Sequence, residues 1–315
     1  MFFPVHQSFF KKATTYVKAV DGVSFSIEKG KTFGLVGESG CGKTTIGRCI
    51  LRMYEPTGGT IYYKGNDITH LNSKAIKPFR HEIQIIFQDP YGSLDPRQSI
   101  GSIIKEALIA SERDDIKKSE INDKVNELLT LVDLDPSMST RFPHELSGGQ
   151  RQRVGIARAL ACNPQLIICD EPVSALDVSI QAQVINLFKE LQKKLGLTYV
   201  FIAHDLAVVR HLSDTVGVMY LGRLVEVTSS EWLYDNPLHP YTKALLAAVP
   251  IVDYDVEKSR QRIILEGEIP SPINPPSGCP FHPRCTRATD KCKSVMPNLV
   301  DYGNGHFVAC HNIEK

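Results

Sequence analysis

The chain has 315 residues, enough for one large domain or two ordinary ones, with 42% hydrophobic and 23% charged residues, an ordinary profile for a soluble globular protein. Lys and Arg number 36 against 35 Asp and Glu, and the resulting net charge of +1 argues against a nucleic-acid partner, which usually goes with a basic excess. No run approaches the ~18 apolar residues needed to cross a bilayer, and the opening MFFPVHQSFFKK is apolar before it is basic, the reverse of a secretory leader. The chain is therefore expected to be intracellular, with its cysteines reduced or metal-bound.

In chain order, residues 23–36 give strand-like runs on either side of a turn at EKGK, and a glycine-rich segment follows. TIGRCILRM then reads as a helix, and residues 60–87 hold the short strands TIYYKG and EIQIIF. Residues 101–135 turn helical, with polar loops at SERDD and LDPSMS, and residues 151–162 form a further helix. LIICD, residues 166–170, is a short apolar strand that ends in acids. From Ser179 to Leu195 the apolar positions 180, 184, 187, 188, 191 and 195 make a helical stripe, and Gly196 suits the turn that ends it. LTYVFIA is another buried strand, ending at His204, and residues 215–228 read as a hairpin around Leu221-Gly222. Strands alternating with helices imply a largely parallel α/β sheet covered on both faces. Beyond about residue 230 the character changes. HPYTKALLAAVP predicts a helix that begins near Pro240 and stops before Pro250, and residues 270–283 carry six prolines, which favour a stiff extended path.

Gly37, Glu38, Ser39, Gly40, Cys41, Gly42, Lys43 and Thr44 spell GESGCGKT, which fits G-x-x-x-x-G-K-[ST] between an apolar strand and a helix. The glycines let backbone N–H groups turn inward around phosphate oxygens, and the helix N-terminus adds positive charge. Lys43 is placed to reach the β- and γ-phosphates, Thr44 to bind Mg²⁺, and Thr45 lies next in the cradle. Cys41 reads as a small spacer at a helix start that can lower a thiol's pKa, so alkylating it is expected to block nucleotide binding. In LIICDE, Asp170 ends a buried strand where a carboxylate can hold Mg²⁺ through a water, and Glu171 can orient the attacking water.

LSGGQ, residues 146–150, followed by RQRVGIARAL, is the most specific signal, and with it the chain resembles the ATP-binding-cassette ATPases. The resemblance implies an ABC-type nucleotide-binding domain of the P-loop NTPase fold, α/β in class, over residues 1–230. It would have a helical subdomain at about 89–160 and an antiparallel β subdomain. It also implies that Ser147, Gly148, Gly149 and Gln150 cover the γ-phosphate of ATP held by a partner subunit. Gln88, in IIFQDP, matches the loop that senses Mg²⁺ and the attacking water. Ser174, Ala175, Leu176 and Asp177 match the loop at the dimer seam, and His204 matches the switch histidine.

QDPYGSLDPR, residues 88–97, and HPYTKALLAAVP, residues 239–250, resemble the branch that supplies the ATPases of oligopeptide, dipeptide and nickel importers. By that resemblance the chain pairs with a paralogous sister ATPase beneath two membrane permease subunits, peripheral to the cytoplasmic face. A separate solute-binding protein delivers the substrate. Asp89 to Tyr91 are candidates for contact with the permease. Peptide import is the leading expectation. The alternatives are import of nickel or another small solute, and a soluble non-transport ATPase of the DNA-repair or translation type. Phe3 matches the aromatic that stacks on adenine, with Tyr16 second. Because MFFPV starts about where the family's first strand ends, that strand is expected to be missing, from a misplaced start or with weaker nucleotide binding.

Residues 231–315 are expected to form a small loop-rich module. Cys279, Cys285, Cys292 and Cys310 are spaced x5, x6 and x17, which matches neither common zinc ribbons nor standard ferredoxins. Spacing alone says four soft ligands and one metal site. Some members of the resembling branch hold a [4Fe–4S] cluster in a similar tail, so the resemblance implies iron–sulfur first, zinc second and reduced thiols or disulfides third, with a structural role. His282, His306 and His311 are candidate substitute ligands, with a neighbour's place the first expectation for each, while Cys49, Cys162 and Cys169 read as small core residues.

Overall fold

The structure is a computed structural model that describes residues 1–5, 15–112, 116–249 and 265–313; Pro250 and residues 113–115 of the SERDD loop lie outside them. It divides into two compact units, one of Met1–Ser26, Thr32–His70 and Ala203–Lys315, the other of Ile27–Lys31 and Leu71–Ile202.

The first unit opens with β1 (Phe2–Pro4), paired antiparallel with β2 (Tyr16–Lys18). A short N-terminal strand is thus present, and Phe3 lies inside it. Residues 23–28 alternate between half-buried and exposed as their sequence does, yet they form no strand. Phe25 is held instead by stacking on Phe33, ring centres 4.4 Å apart. β3 (Thr32–Val36) is buried at every residue, as the apolar run predicts, and leads through the phosphate loop into α1 (Lys43–Ile50). β4 (Tyr62–Tyr63) and β5 (Asn66–Asp67) make a separate hairpin. Its turn residues Lys64 and Gly65 have φ of 50° and 78°, the two left-handed positions of a type I′ turn. The antiparallel part of this unit's N-terminal half is therefore two separate strand pairs.

In the second unit α2 (Ser73–Glu82) starts on Asn72, whose side chain accepts the Lys74 and Ala75 N–H groups. β6 (Ile83–Ile86) follows, then α3 (Ile100–Ala110), α4 (Ile121–Leu131) and α5 (Gly148–Ala161), which pack on one another. β7 (Leu166–Asp170) pairs parallel with β6, Ile83 opposite Leu166. α6 (Val178–Leu195) ends at Gly196, which takes φ 66° as expected of its position. β8 (Thr198–Ala203) pairs parallel with β7, Leu166 opposite Thr198 and Asp170 opposite Ile202. β7 and β8 are buried along their whole length, which is why both read as unbroken apolar runs.

The chain returns to the first unit with α7 (Leu206–Leu212), capped by Asp205, and β9 (Thr215–Tyr220), which runs parallel to β3. β10 (Arg223–Ser229) folds back on β9 through Leu221 and Gly222, at φ 43° and 78°, the hairpin expected there. α8 (Ser230–Asp235) and α9 (Pro240–Ala248) follow, with Pro240 in the first turn as expected. The tail contributes α10 (Asp290–Ser294), β11 (Val300–Asp301) and β12 (Phe307–Val308). β12 pairs with β10, Glu226 opposite Val308, so the end of the chain adds to the sheet that holds β3. Tyr220, Tyr241 and Phe281 pack together at 4.8–5.3 Å between ring centres and join β9, α9 and the tail.

Candidate functional site

The phosphate loop takes a form only glycine allows at its key positions. Gly42 has φ 106°, and a Cβ there would lie 2.0 Å from the Ala19 carbonyl oxygen; one on Gly37 would lie 2.2 Å from that of Met219. No side chain caps the start of α1 and no acid sits in its first turn, so the helix's first N–H groups remain suited to an anion. Lys43 is buried, and its ammonium donates to the Gly37 carbonyl at 2.7 Å and the Glu38 carbonyl at 3.1 Å. Cys41 is buried, and burial pushes its thiol up against the opposing pull of Lys43. It is a packed spacer, and the expectation of a lowered thiol pKa at this helix start is overturned.

The second unit gathers the acidic pair, the glutamine, the signature and the SALD loop. Asp170 is buried at the end of β7. Glu171 follows with φ 47°, a left-handed conformation rare for a residue with a side chain and typical of functional turns. Its N–H donates to the Ile202 carbonyl at 3.0 Å, which fixes the turn at the sheet's edge. Gln88 Nε2 donates to Glu171 Oε2 at 2.8 Å, so the residues predicted to handle water already touch. Ser174 Oγ donates to the Glu171 carbonyl at 3.0 Å, and its N–H does so at 3.3 Å, hanging the SALD loop from the same residue. Ser147 caps α5 in a reciprocal box with Gln150. A Cβ on Gly149 would lie 2.5 Å from Ile180 Cγ2, and one on Gly148 3.3 Å from Leu176 Cδ2, so the signature glycines admit the SALD loop and the start of α6. Ser147 is exposed.

Arg151 carried no sequence signal of its own, and Tyr91 entered only as a candidate contact with the permease. The Arg151 guanidinium lies 3.6 Å from the Tyr91 ring centre, and Arg158 donates to the Ser93 carbonyl, so α5 holds the loop after Gln88. Exposed Tyr91 is shaped by Asp89, whose carboxylate accepts the Tyr91 N–H at 2.8 Å. In the first unit His204 is exposed just past β8. The Phe3 ring stands edge-on to Tyr54 at 5.2 Å, and Tyr16 on β2 is 42% exposed.

None of the tail cysteines forms a disulfide among the described residues. Cys279 and Cys292 are buried, Cys285 and Cys310 half-buried. Cys310 Sγ accepts the Asn312 N–H at 3.3 Å, and Cys292 Sγ accepts the Asn312 side-chain amide at 3.4 Å. Burial, aided by the other three thiols, pushes Cys279 up to about 11. Yet among the described residues no group of three or more His, Cys, Asp or Glu is arranged to hold a metal ion. The donor types fit an iron–sulfur or zinc centre; their arrangement does not, and the expectation of a held cluster is unsupported. The three histidines are also engaged otherwise: His282 with the Cys279 carbonyl, His306 with Glu226 and His311 with the Val295 carbonyl. Cys49 and Cys169 are buried as expected, whereas Cys162 is half-buried. Among the described residues no helix is long and apolar enough to cross a membrane.

Residues 20–174 match the family "ABC transporter", and residues 225–292 match "Oligopeptide/dipeptide transporter, C-terminal region". The oligopeptide transport ATP-binding protein AppF of Bacillus subtilis is 57% identical over 311 residues, 98% of this chain and 94% of that protein. The dipeptide transport ATP-binding protein DppF of Escherichia coli is 50% identical over 299 residues, 95% and 88% of the two chains. Among solved structures, a dimeric ATP-binding cassette in a post-hydrolysis state, bound to ADP and phosphate, superposes with a TM-score of 0.64. It is 29% identical and covers 70% of this chain and 94% of its own.

Proposed function

The chain belongs to the oligopeptide and dipeptide branch of the ABC transporter ATP-binding subunits, and from that premise we propose how its residues use ATP. It is an ATPase that powers peptide import, the activity carried by relatives of this similarity. It works with membrane permease subunits. In the finer reading a sister ATPase is its partner, a solute-binding protein brings the peptide, and the subunit sits on the cytoplasmic face.

The nucleotide's phosphates lie in the Gly37–Thr45 loop, where the glycines and the uncapped start of α1 leave room for them. Lys43 draws charge from the β- and γ-phosphates, and Phe3, with Tyr16 second, stacks on the adenine. Thr44, Asp170 and Gln88 are the residues that would hold Mg²⁺, which would supply charge neutralisation at the phosphate oxygens. Glu171 accepts a proton from the attacking water while Gln88 holds the carboxylate's direction, and His204 steadies the departing phosphate. Ser147, Gly148, Gly149 and Gln150 close over the ATP of the opposing subunit, and Ser174–Asp177 lie at that seam. An iron–sulfur or zinc centre on Cys279, Cys285, Cys292 and Cys310 is the finer reading of the tail. Four soft donors in the sequence speak for it, against the arrangement of the described residues, and metal analysis tests it; no step of hydrolysis runs through it.

The observation that carries this reading is the 2.8 Å hydrogen bond between Gln88 and a Glu171 held at φ 47° behind a buried strand. Replacing Glu171 by Gln keeps the size and the bond network but removes the base. In the assembled transporter, kcat should fall by about 10²–10³-fold, while ATP still binds and the closed ATPase pair accumulates on gel filtration. Hydrolysis at near-parent rate in that variant removes Glu171 from the base's role.

A further inference from the structure

The phosphate loop is gripped from outside by the tail. Glu38, the residue after Gly37, carries a carboxylate into a loop that would hold a polyanion. Arg284 takes both its oxygens: Nη1 to Oε2 at 2.7 Å and Nη2 to Oε1 at 3.0 Å. The arginine side chain is only 6% exposed, and its guanidinium lies 5.9 Å from the Tyr220 ring centre. The Glu38 backbone is tied as well. Its N–H donates to the Tyr241 hydroxyl at 2.9 Å, and its carbonyl accepts Lys43. Tyr220, Tyr241 and Phe281 pack around this pair, so the same aromatic cluster that joins the tail to α9 presents Arg284 to the loop.

We propose that Arg284 is a positioning residue for nucleotide binding: it neutralises Glu38 and turns its carboxylate away from the phosphates, so that the tail sets the affinity of the loop. A two-pronged guanidinium fixes the direction of a carboxylate as well as its charge, which a single ammonium does less well. Without it, an uncompensated negative charge stands within a few residues of every phosphate oxygen the loop binds, and in a poorly solvated site that repulsion is large. The inference rests on the assignment of Gly37–Thr44 as the nucleotide loop and adds a residue that no cassette motif contains.

The test is equilibrium ATP binding by the full chain with divalent ions chelated, so that no hydrolysis intervenes, over a charge cycle. Arg284→Met should raise the Kd for ATP by about tenfold, and the rise should shrink with added salt, because the repulsion is screened. Arg284→Lys, which keeps the charge but loses the two-pronged geometry, should raise the Kd by less than Arg284→Met does. The double variant Glu38→Gln/Arg284→Met should bind within about twofold of Glu38→Gln alone, since no charge remains to be neutralised. A purely structural role for Arg284 predicts the opposite, a double variant as weak as Arg284→Met. That result, or parent-like affinity in Arg284→Met, overturns the proposal. If Arg284→Met does not fold, the double variant decides by its comparison with Glu38→Gln. Lys43→Ala separates the premise from the inference. Normal ATP binding in that variant defeats the loop assignment itself. Lost binding in Lys43→Ala with parent-like Arg284→Met defeats the positioning role alone.

Discussion

His239 shows how far the surroundings of one side chain can move its chemistry. It is buried ahead of α9, and its Nδ1 accepts the Tyr241 N–H at 3.1 Å. Burial is the main influence and pushes its pKa down to about 4, against the opposing pull of the Glu226 carboxylate, which accepts the His239 backbone N–H at 2.9 Å. The Phe281 ring, 5.7 Å away, adds no charge. The folded chain thus keeps His239 neutral where the unfolded chain would take a proton near pH 6.5. Its contribution to stability is complete above that pH and is lost as pH falls from about 6.5 towards 4, by up to about 3 kcal/mol. His239→Asn retains an acceptor for the Tyr241 N–H but cannot titrate. Across this window its melting temperature should fall less steeply than the parent's. Two parallel curves would assign the acid sensitivity to another group. Residues of this kind are poorly legible in sequence. Glu171 and Gln88 stand out because they follow apolar runs, IIC before the acids and IIF before the glutamine. Arg284 does not, because a buried arginine in a proline-rich tract follows no period and belongs to no motif.

At the scale of elements, the legible ones were those whose burial is uniform or periodic. β7 and β8, buried along both faces, appear as apolar runs, and α6 as a stripe ending in glycine. Residues 23–28 carried an equally good alternation and formed no strand, because alternation reports burial of one face and says nothing about a pairing neighbour. The close approach of α5 to α6 was also hidden, since LSGGQ reads as a capped helix start whether or not a second helix crosses it. That crossing gives a prediction. Gly149→Ala should favour α5 by intrinsic propensity, but its Cβ would sit 2.5 Å from Ile180 Cγ2, a methyl next to the main chain that cannot swing clear. The clash should dominate and cost about 1–3 kcal/mol in urea unfolding. Adding Ile180→Ala should recover part of that loss. A stabilised Gly149→Ala chain would show that the two helices separate at no cost.

For the molecule as a whole, the informative feature is how its last residues are used. The composition change near residue 230 and the run of prolines suggest a module that begins where the cassette ends, and within the first unit the end of that stretch pairs with β10. β12 lies against β10, and His306 Nε2 reaches Glu226 Oε1 at 2.7 Å in a site where both side chains are almost fully enclosed. Two residues of strand and one histidine have no periodicity to read, so this closure could not be seen in the sequence. Its energetics can be. Glu226 is 0% exposed and also accepts the N–H groups of Leu238 and His239, at 2.8 and 2.9 Å, so it holds α9, the tail and β10 to one carboxylate. Removing the histidine leaves those two donors but strips the carboxylate of its only side-chain partner among the described residues. Breaking such a pair from one side is far more damaging than deleting both partners, because the buried carboxylate is left behind. His306→Ala should therefore lose about 3 kcal/mol in urea unfolding of the full chain, and Glu226→Gln/His306→Ala should lose less than the single variant despite carrying two changes. If the double variant is the weaker of the two, the pair is a packing contact, and the tail is joined to β10 by its strand and aromatic cluster alone.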